Sequence, residues 1–197
     1  MRFGLLTPVV MRLPGSGHWE ATADPAELVR VARHADALGF HHLTCSEHTA
    51  VPGGDAPGRG TTYWDPLATL SYLAASTGRI GLATNVLVLG YHHPLALTKS
   101  YGTLDRLSGG RVLLGVGVGS LRAEFDLLGA AYDDRGDRAD DALRALRASW
   151  GRSRPSYHGR YYTLRRRGGG SGGAADRGAD LGRRPDRAVA APGNRAG

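Results

Sequence analysis

The feature that most constrains the fold is a regular alternation of short apolar runs with longer segments of helical periodicity. Apolar runs occur at residues 3–7, 40–45, 80–89 and 112–116, and a helix-period segment follows each one. Units of strand and helix that repeat at intervals of roughly 30 to 40 residues are typical of parallel strands joined by crossover helices. The sequence therefore predicts an α/β fold.

Residues typical of helix starts and helix ends mark the helical segments. Asp24 and Asp65 each stand before a proline, in the order expected for an N-cap followed by the first helical residue, and His93 precedes a third proline. A fourth periodic segment covers residues 139–150. The segments are ended by glycines at Gly39, Gly78 and Gly109. These signals predict four helices, one after each of the four apolar runs.

The apolar runs are hydrophobic throughout, which fits a sheet that is covered on both faces or closed into a barrel. Periodicity alone does not separate a doubly wound sheet from a (β/α)8 barrel. A barrel of the TIM type takes about 250 residues, and about four of its units are recognisable here. We therefore expect residues 1–164 to form an incomplete (β/α)8 barrel, with a doubly wound sheet as the alternative.

Residues 165–197 have a different composition, rich in glycine, arginine and alanine. This segment contains eight arginines and three aspartates, so it carries +5 of the formal net charge of +7. Leu181 and Val189 are its only larger apolar residues. Such a segment buries too little surface to offset the entropy of ordering it, so we expect a disordered tail. Its composition also fits GC-rich DNA translated in a shifted reading frame.

Composition limits the partners and the compartment. The body before residue 165 is nearly neutral, so we expect no nucleic-acid partner. No apolar run approaches the roughly 18 residues of a membrane span, and the first ten residues are more typical of a strand than of a signal peptide. Cys45 is the single cysteine, which excludes an intramolecular disulfide and favours a reducing compartment. We expect a cytoplasmic location.

Polar groups and glycines lie at the ends of three apolar runs, where a barrel places its active site. Glu47 and His48 follow the second run, and an imidazole is suited to proton transfer near neutral pH. Asn85 interrupts the third run, and a buried amide there would need partners. Residues 115–119 read GVGVG, a pattern in which backbone N–H groups can approach a ligand closely.

Three segments together resemble the luciferase-like monooxygenase superfamily, and within it the oxidoreductases that use the deazaflavin coenzyme F-420. They are SEH at residues 46–48, RIGLATNV at 79–86 with His93-Pro94 and LDRLSGGR at 104–111, and VLLGVGVG at 112–119. The resemblance covers about residues 1–163. It implies the front half of a (β/α)8 oxidoreductase domain that uses reduced F-420, or alternatively FMN, on a small organic substrate.

The resemblance also implies roles for single residues. His48 would lie beside the cofactor ring as a proton donor or electrostatic partner, and the third strand would contain a bulge with a non-proline cis peptide. Several relatives carry a glutamate proton donor where this chain has Ser120, so a reaction that needs that acid is in doubt. The residues expected to bind the cofactor are Glu47, Thr84, Asn85, Val86, Gly115, Gly117, Gly119 and Ser120.

Two other interpretations remain open at this point. One is an inactive fragment that self-associates, as a homodimer or an aggregate, through the open edges of an incomplete sheet. The other is a doubly wound domain that binds a nucleotide or S-adenosylmethionine at residues 115–119. Four of the histidines form two adjacent pairs, His41 with His42 and His92 with His93. Neighbouring side chains point different ways, so we expect no metal site there.

Overall fold

The computed structural model describes residues 1–164 and the backbone of one further strand at residues 189–190. The strands are β1 (Gly4–Leu6), β2 (Met11–Arg12), β3 (His42–Cys45), β4 (Thr62–Tyr63), β5 (Gly81–Val88), β6 (Val112–Gly117), β7 (Tyr157–His158), β8 (Thr163–Leu164) and β9 (Val189–Ala190). The α-helices are α1 (Pro25–Ala37), α2 (Ala56–Arg59), α3 (Pro66–Ser76), α4 (Pro94–Leu107), α5 (Arg122–Leu127) and α6 (Arg135–Ser149). Short 3-10 helices span His18–Ala21 and Leu89–Tyr91.

The main sheet is parallel and has the order β1-β3-β5-β6-β9. Each strand of this sheet pairs with the strand of the same sheet that precedes it in the chain, with no reversal of the order among the described strands. A doubly wound sheet needs such a reversal, whereas a (β/α)8 barrel is built without one. The strand order therefore favours the barrel and not the doubly wound alternative.

The predicted N-cap residues lie at the starts of the helices. The Asp24 carboxylate accepts hydrogen bonds from the backbone N–H groups of Ala26 and Glu27, at 2.8 and 3.0 Å. Asp65 accepts from the N–H of Ala68 at 2.7 Å. These bonds satisfy donors that a helix leaves open in its first turn. Helix α6 differs from the prediction because it begins at Arg135, one turn before residue 139.

The core lies between the sheet and the helices. Leu5, Leu43, Leu82 and Val112 are paired in one row across β1, β3, β5 and β6, and all four belong to or pack against a single hydrophobic cluster. Helix α1 packs on α3, α3 on α4, and α4 on α6, so the helices follow one another as the strands do. The side chains of this row alternate with those of the opposite face, where Leu6 is 50% exposed.

Two small antiparallel ribbons were not predicted. Strands β2 and β4 form an antiparallel ribbon, and β7 and β8 form another. Both consist of two-residue strands, which are too short to show any periodicity. The second ribbon is held by the buried carboxylate of Asp141 on α6, which accepts hydrogen bonds from the N–H groups of Tyr161 and Tyr162 at 2.7 and 3.0 Å.

The segment 165–197, expected to be disordered, lies outside the described residues except for Val189–Ala190. No strand was expected there, yet these two residues pair in parallel with Gly115 and Val116 of β6. The outer edge of β6 offers unpaired N–H and C=O groups, which another strand can satisfy. Within the described residues, no helix has the length and hydropathy needed to cross a bilayer.

Asp36 braces the end of α1 against the start of β5, and we predict that Asp36→Ala lowers the free energy of unfolding. Its carboxylate accepts from the N–H groups of Gly78 and Ile80, at 2.7 and 2.8 Å. Burial raises the pKa of Asp36, but the backbone hydrogen bonds outweigh it and hold that pKa below its usual range. The expected loss is about 2 kcal/mol at neutral pH, the usual size for hydrogen bonds to a charged group.

Urea unfolding of the Asp36→Ala variant measures this loss, with Asp140→Ala, an exposed position on α6, as the matched control. Because the folded-state pKa is lowered, the contribution of Asp36 is present above about pH 4 and declines as the pH falls through the folded value. Equal stability of the two variants at pH 7 would show that the hydrogen bonds of Asp36 do not stabilise the fold.

Candidate active site

The third barrel strand, β5, contains a bulge where the site residues were expected. Thr84 pairs with Leu114 and Leu87 with Val116, so the register shifts between the two pairs. The peptide bond Asn85–Val86 is cis. Both features were implied by the family resemblance and are confirmed. The side chain of Asn85 is exposed rather than buried, because the bulge turns it out of the strand, so the amide does not need protein partners.

The glycines of β6 fit closely against this bulge. A Cβ atom on Gly115 would lie 2.2 Å from the carbonyl oxygen of Thr84, and one on Gly117 would lie 2.6 Å from a methyl group of Val86. The Thr84 hydroxyl also donates to the carbonyl of Gly115 at 2.7 Å. Glycine is therefore required here by the approach of two strands. Residue Gly119, with a φ of +78°, similarly packs against the ring of Phe125.

The loop after β3 is tied to β5 by two side chains. Ser46 donates from its hydroxyl to the carbonyl of Asn85 at 2.6 Å. Glu47 is buried, and its Oε2 accepts from the backbone N–H of Val88 at 2.7 Å. Its Oε1 lies 2.6 Å from Nε2 of His92. This hydrogen bond with Glu47 is the main cause that raises the pKa of His92, against the opposing effect of burial.

His48 lies at the same rim and is held by a second carboxylate. Its Nδ1 is 2.8 Å from Oε2 of Glu124 on α5, and its side chain is 17% exposed. The ring of Tyr63 meets the imidazole edge to face, with the centroids 4.6 Å apart. The plane of the imidazole is thus fixed from two sides, and Nε2 is the ring nitrogen left to act on a ligand.

Glu124 is completely buried, and four donors surround it. Its Oε1 accepts from the backbone N–H groups of Thr49 and Ala50, and its Oε2 accepts from the Tyr91 hydroxyl at 2.9 Å. Burial raises the pKa of Glu124, but the hydrogen bonds from His48, Ala50, Tyr91 and Thr49 together lower it. Glu124 is therefore ionised at neutral pH. An ionised carboxylate only accepts hydrogen bonds, so His48 must carry a proton on Nδ1.

These contacts close into a ring that we call the rim network: Glu47, His48, Tyr91, His92 and Glu124. His48 and Glu47 are consecutive, as are Tyr91 and His92. Glu47 binds His92 directly, and Glu124 bridges His48 to Tyr91. The rim network thereby connects the loop after β3, the turn after β5 and helix α5. In the part of the chain described, no group of three or more residues is arranged to hold a metal ion.

The sequence predicted two of the five residues of the rim network. Glu47 and His48 were expected at the site, whereas His92 was read as an unremarkable histidine and Tyr91, Tyr63 and Glu124 were missed. A signal for Glu124 does exist, because it shares helical spacing with Leu121 and Phe125, which places a carboxylate on an apolar face. Ser120, expected near the cofactor, is exposed and lies outside the rim network.

Comparison with known proteins assigns the class to which this fold and the rim network belong. The family model described as luciferase-like monooxygenase matches residues 1–171, and this chain belongs to that family.

Individual relatives agree with the assignment. An uncharacterized protein of Mycobacterium tuberculosis is 36% identical over 66% of this chain and 50% of its own length. An F-420-dependent glucose-6-phosphate dehydrogenase of Intrasporangium calvum is 32% identical over 73% of this chain and 45% of its own length. The crystal structure of a monooxygenase from Streptomyces bottropensis superposes with a TM-score of 0.65 at 28% identity, covering 83% of this chain and 47% of that one. The chain spans about half the length of the curated relatives it matches.

We predict that neutral His48 carries its proton on Nδ1 and leaves Nε2 unprotonated, since Glu124 only accepts hydrogen bonds. Two-bond proton–nitrogen correlation spectra of the histidine-labelled protein, recorded at about pH 8, where an ordinary imidazole is neutral, distinguish the two tautomers. In Glu124→Gln the amide can both donate and accept, so we expect the tautomer preference to weaken. A native His48 protonated on Nε2 would contradict the assignment.

We also predict that the Glu47–His92 contact stabilises the fold more at low pH than at high pH. The folded-state pKa of His92 is raised, so its contribution is fully present below about pH 6.5, the unfolded value, and is lost as the pH rises through the folded value. Urea unfolding at about pH 6 and pH 9 should therefore show a stability difference between native protein and His92→Gln that shrinks with rising pH. His34→Gln, at an exposed position on α1, is the control and should show no such trend.

Proposed function

We propose that this chain contributes the ring-facing half of an oxidoreductase site that uses a reduced deazaflavin or flavin on a small organic substrate. The rim network carries the proposal, because it fixes an imidazole at the carboxyl ends of barrel strands in a luciferase-like fold. Coenzyme F-420 is the first candidate, which the similarity to an F-420-dependent dehydrogenase supports, and FMN is the alternative. We further propose that the protein acts in the cytoplasm.

The residues present fit such a cofactor in chemistry. A flavin or deazaflavin ring has carbonyl and N–H groups along one edge, and the exposed amide of Asn85 offers both a donor and an acceptor. We assign direct contact with the ring to His48, Asn85 and Val86. Glu47 and Thr84 have their polar atoms bound within the protein, so we assign them a supporting role. Gly115 and Gly117 support the site in the same way, by letting β6 approach the bulge.

The role of the protein residues is then to transfer protons and to hold the reacting groups in position. A bound reduced cofactor supplies the hydride, or in the flavin case the activation of oxygen. His48 accepts a proton at Nε2 when neutral and donates one from the same atom when charged. Glu124 keeps Nδ1 protonated and fixes the orientation of the imidazole, because it is an ionised carboxylate 2.8 Å away. With Ser120 in place of a carboxylic acid, His48 is the proton-transferring group that we assign among the described residues.

Self-association is a second candidate property, and a specific observation favours it. Phe3 and Leu6, at the outer strand β1, are 58% and 50% exposed. Apolar side chains beside a strand edge favour contact with another chain, and none of the described strands pairs with the outer edge of β1. We propose that the 197-residue chain associates through this edge when nothing else covers it.

Titration of the purified chain with F-420 and with FMN, followed by cofactor fluorescence, tests the first proposal. We expect saturable binding of one of the two. His48→Ala and Asn85→Ala should each weaken it at least about tenfold, the effect of losing a hydrogen bond worth about 1.4 kcal/mol. His34→Ala is the matched control and should bind as the native chain does. Binding that both site variants leave unchanged would show that the cofactor lies elsewhere.

Light scattering on the same samples measures the oligomeric state and so separates the two properties. If the chain is monomeric and binds neither cofactor, the oxidoreductase proposal is wrong. If the chain is monomeric, whatever its affinity for a cofactor, the self-association proposal is wrong.

A further inference from the structure

The ribbon of β2 and β4 forms one wall of an open groove that the luciferase-like site does not use. The groove has a volume of roughly 410 Å³ and is closed on its other side by the segment from Leu13 to Ala21. Pockets for small molecules typically occupy about 300 to 1,000 Å³. On the ribbon, Thr62 is paired with Arg12, and the next residue, Tyr63, is the one that packs against His48. Neighbouring strand residues point to opposite faces, so the groove and His48 lie on opposite sides of the ribbon.

Arg12 is the central residue of the groove. Its Nε and Nη2 both donate to the hydroxyl oxygen of Thr62, at 3.0 and 2.7 Å, so the guanidinium plane is fixed. A guanidinium has five N–H groups, and these two bonds leave three of them unused. Within the described part of the chain, no carboxylate lies within ion-pair distance of Arg12. A half-buried, oriented positive charge without a counter-ion is a ready partner for an anion.

The rest of the groove adds donors and no acidic side chain. Ser16 accepts from the N–H of Leu13 at 3.0 Å, which leaves its own O–H to donate. The hydroxyl of Thr62 likewise has its O–H free to donate, since its oxygen accepts two hydrogen bonds from Arg12. His18 offers an N–H in either protonation state. The nearest acidic residue in the sequence, Glu20, has one oxygen bound to the N–H of Gly17 and the other to that of Val9.

We propose that this groove binds the carboxylate or phosphate group of a small organic anion, with Arg12 as its principal contact. The three unused N–H groups of Arg12 match the oxygens of such a group, and Ser16 and Thr62 complete the set of donors. Leu13 and Pro14 border the donors and suit the apolar part of the same molecule. The site stands apart from the proposed cofactor chemistry, because it depends on neither His48 nor the bulge of β5.

Titration of the full 197-residue chain with two probes, inorganic phosphate and succinate, at constant ionic strength tests this site. The signal is the Nε–Hε correlation of Arg12 in proton–nitrogen spectra. We expect a saturable shift with a dissociation constant in the millimolar range, on the order of 4 kcal/mol of binding. The probe that binds more tightly identifies the phosphate or the carboxylate as the preferred group.

Variants show whether the groove itself is responsible, with binding measured by calorimetry. Arg12→Gln should weaken it at least about tenfold, and Thr62→Val should weaken it less, because the charge remains but loses its brace. Arg30→Gln, an exposed position on α1 next to Glu27, is the matched control and should leave binding unchanged. The absence of a saturable shift with both probes up to about 100 mM, or equal binding by Arg12→Gln, would overturn the proposal.

Discussion

The ionised carboxylate of Glu124, buried without any exposed surface, is the constraint on which the arrangement of this site depends. A charge in that position is tolerated only if donors surround it, since desolvation alone would neutralise it. Two donors come from the backbone of the loop after β3, one from Tyr91 in the turn after β5, and one from His48. Three parts of the chain far apart in sequence must therefore meet at one point before the charge is satisfied. The orientation of His48 is a consequence of that requirement.

The bulge of β5 sets a second, steric condition on the neighbouring strand. It brings the backbone of Thr84 and the side chain of Val86 so near to β6 that no side chain fits at Gly115 or Gly117. The same bulge exposes Asn85 and offers a carbonyl to Ser46. Glycines that suggested a ligand cradle in the sequence are thus explained first by contact between strands.

Much of the fold could be predicted from the sequence because its determinants are local. Asp24 and Asp65 mark helix starts through hydrogen bonds that span two or three residues, and the apolar runs mark strands through composition alone. The barrel-like strand order came from the family resemblance, since periodicity does not contain it. The partners of His48 and Glu47 could not be predicted, because Glu124 and His92 are separated from them by 76 and 45 residues. Neither the groove beside Arg12 nor the ribbon that forms it has a periodic signal.

The rim network also has a mechanical consequence. It joins the pair Glu47–His48 to the pair Tyr91–His92 at two points. Glu47 is bound to His92 directly, and His48 is bound to Tyr91 through Glu124. A hinge at either loop would have to break both fastenings at once, so the two loops behave as one stiff wall.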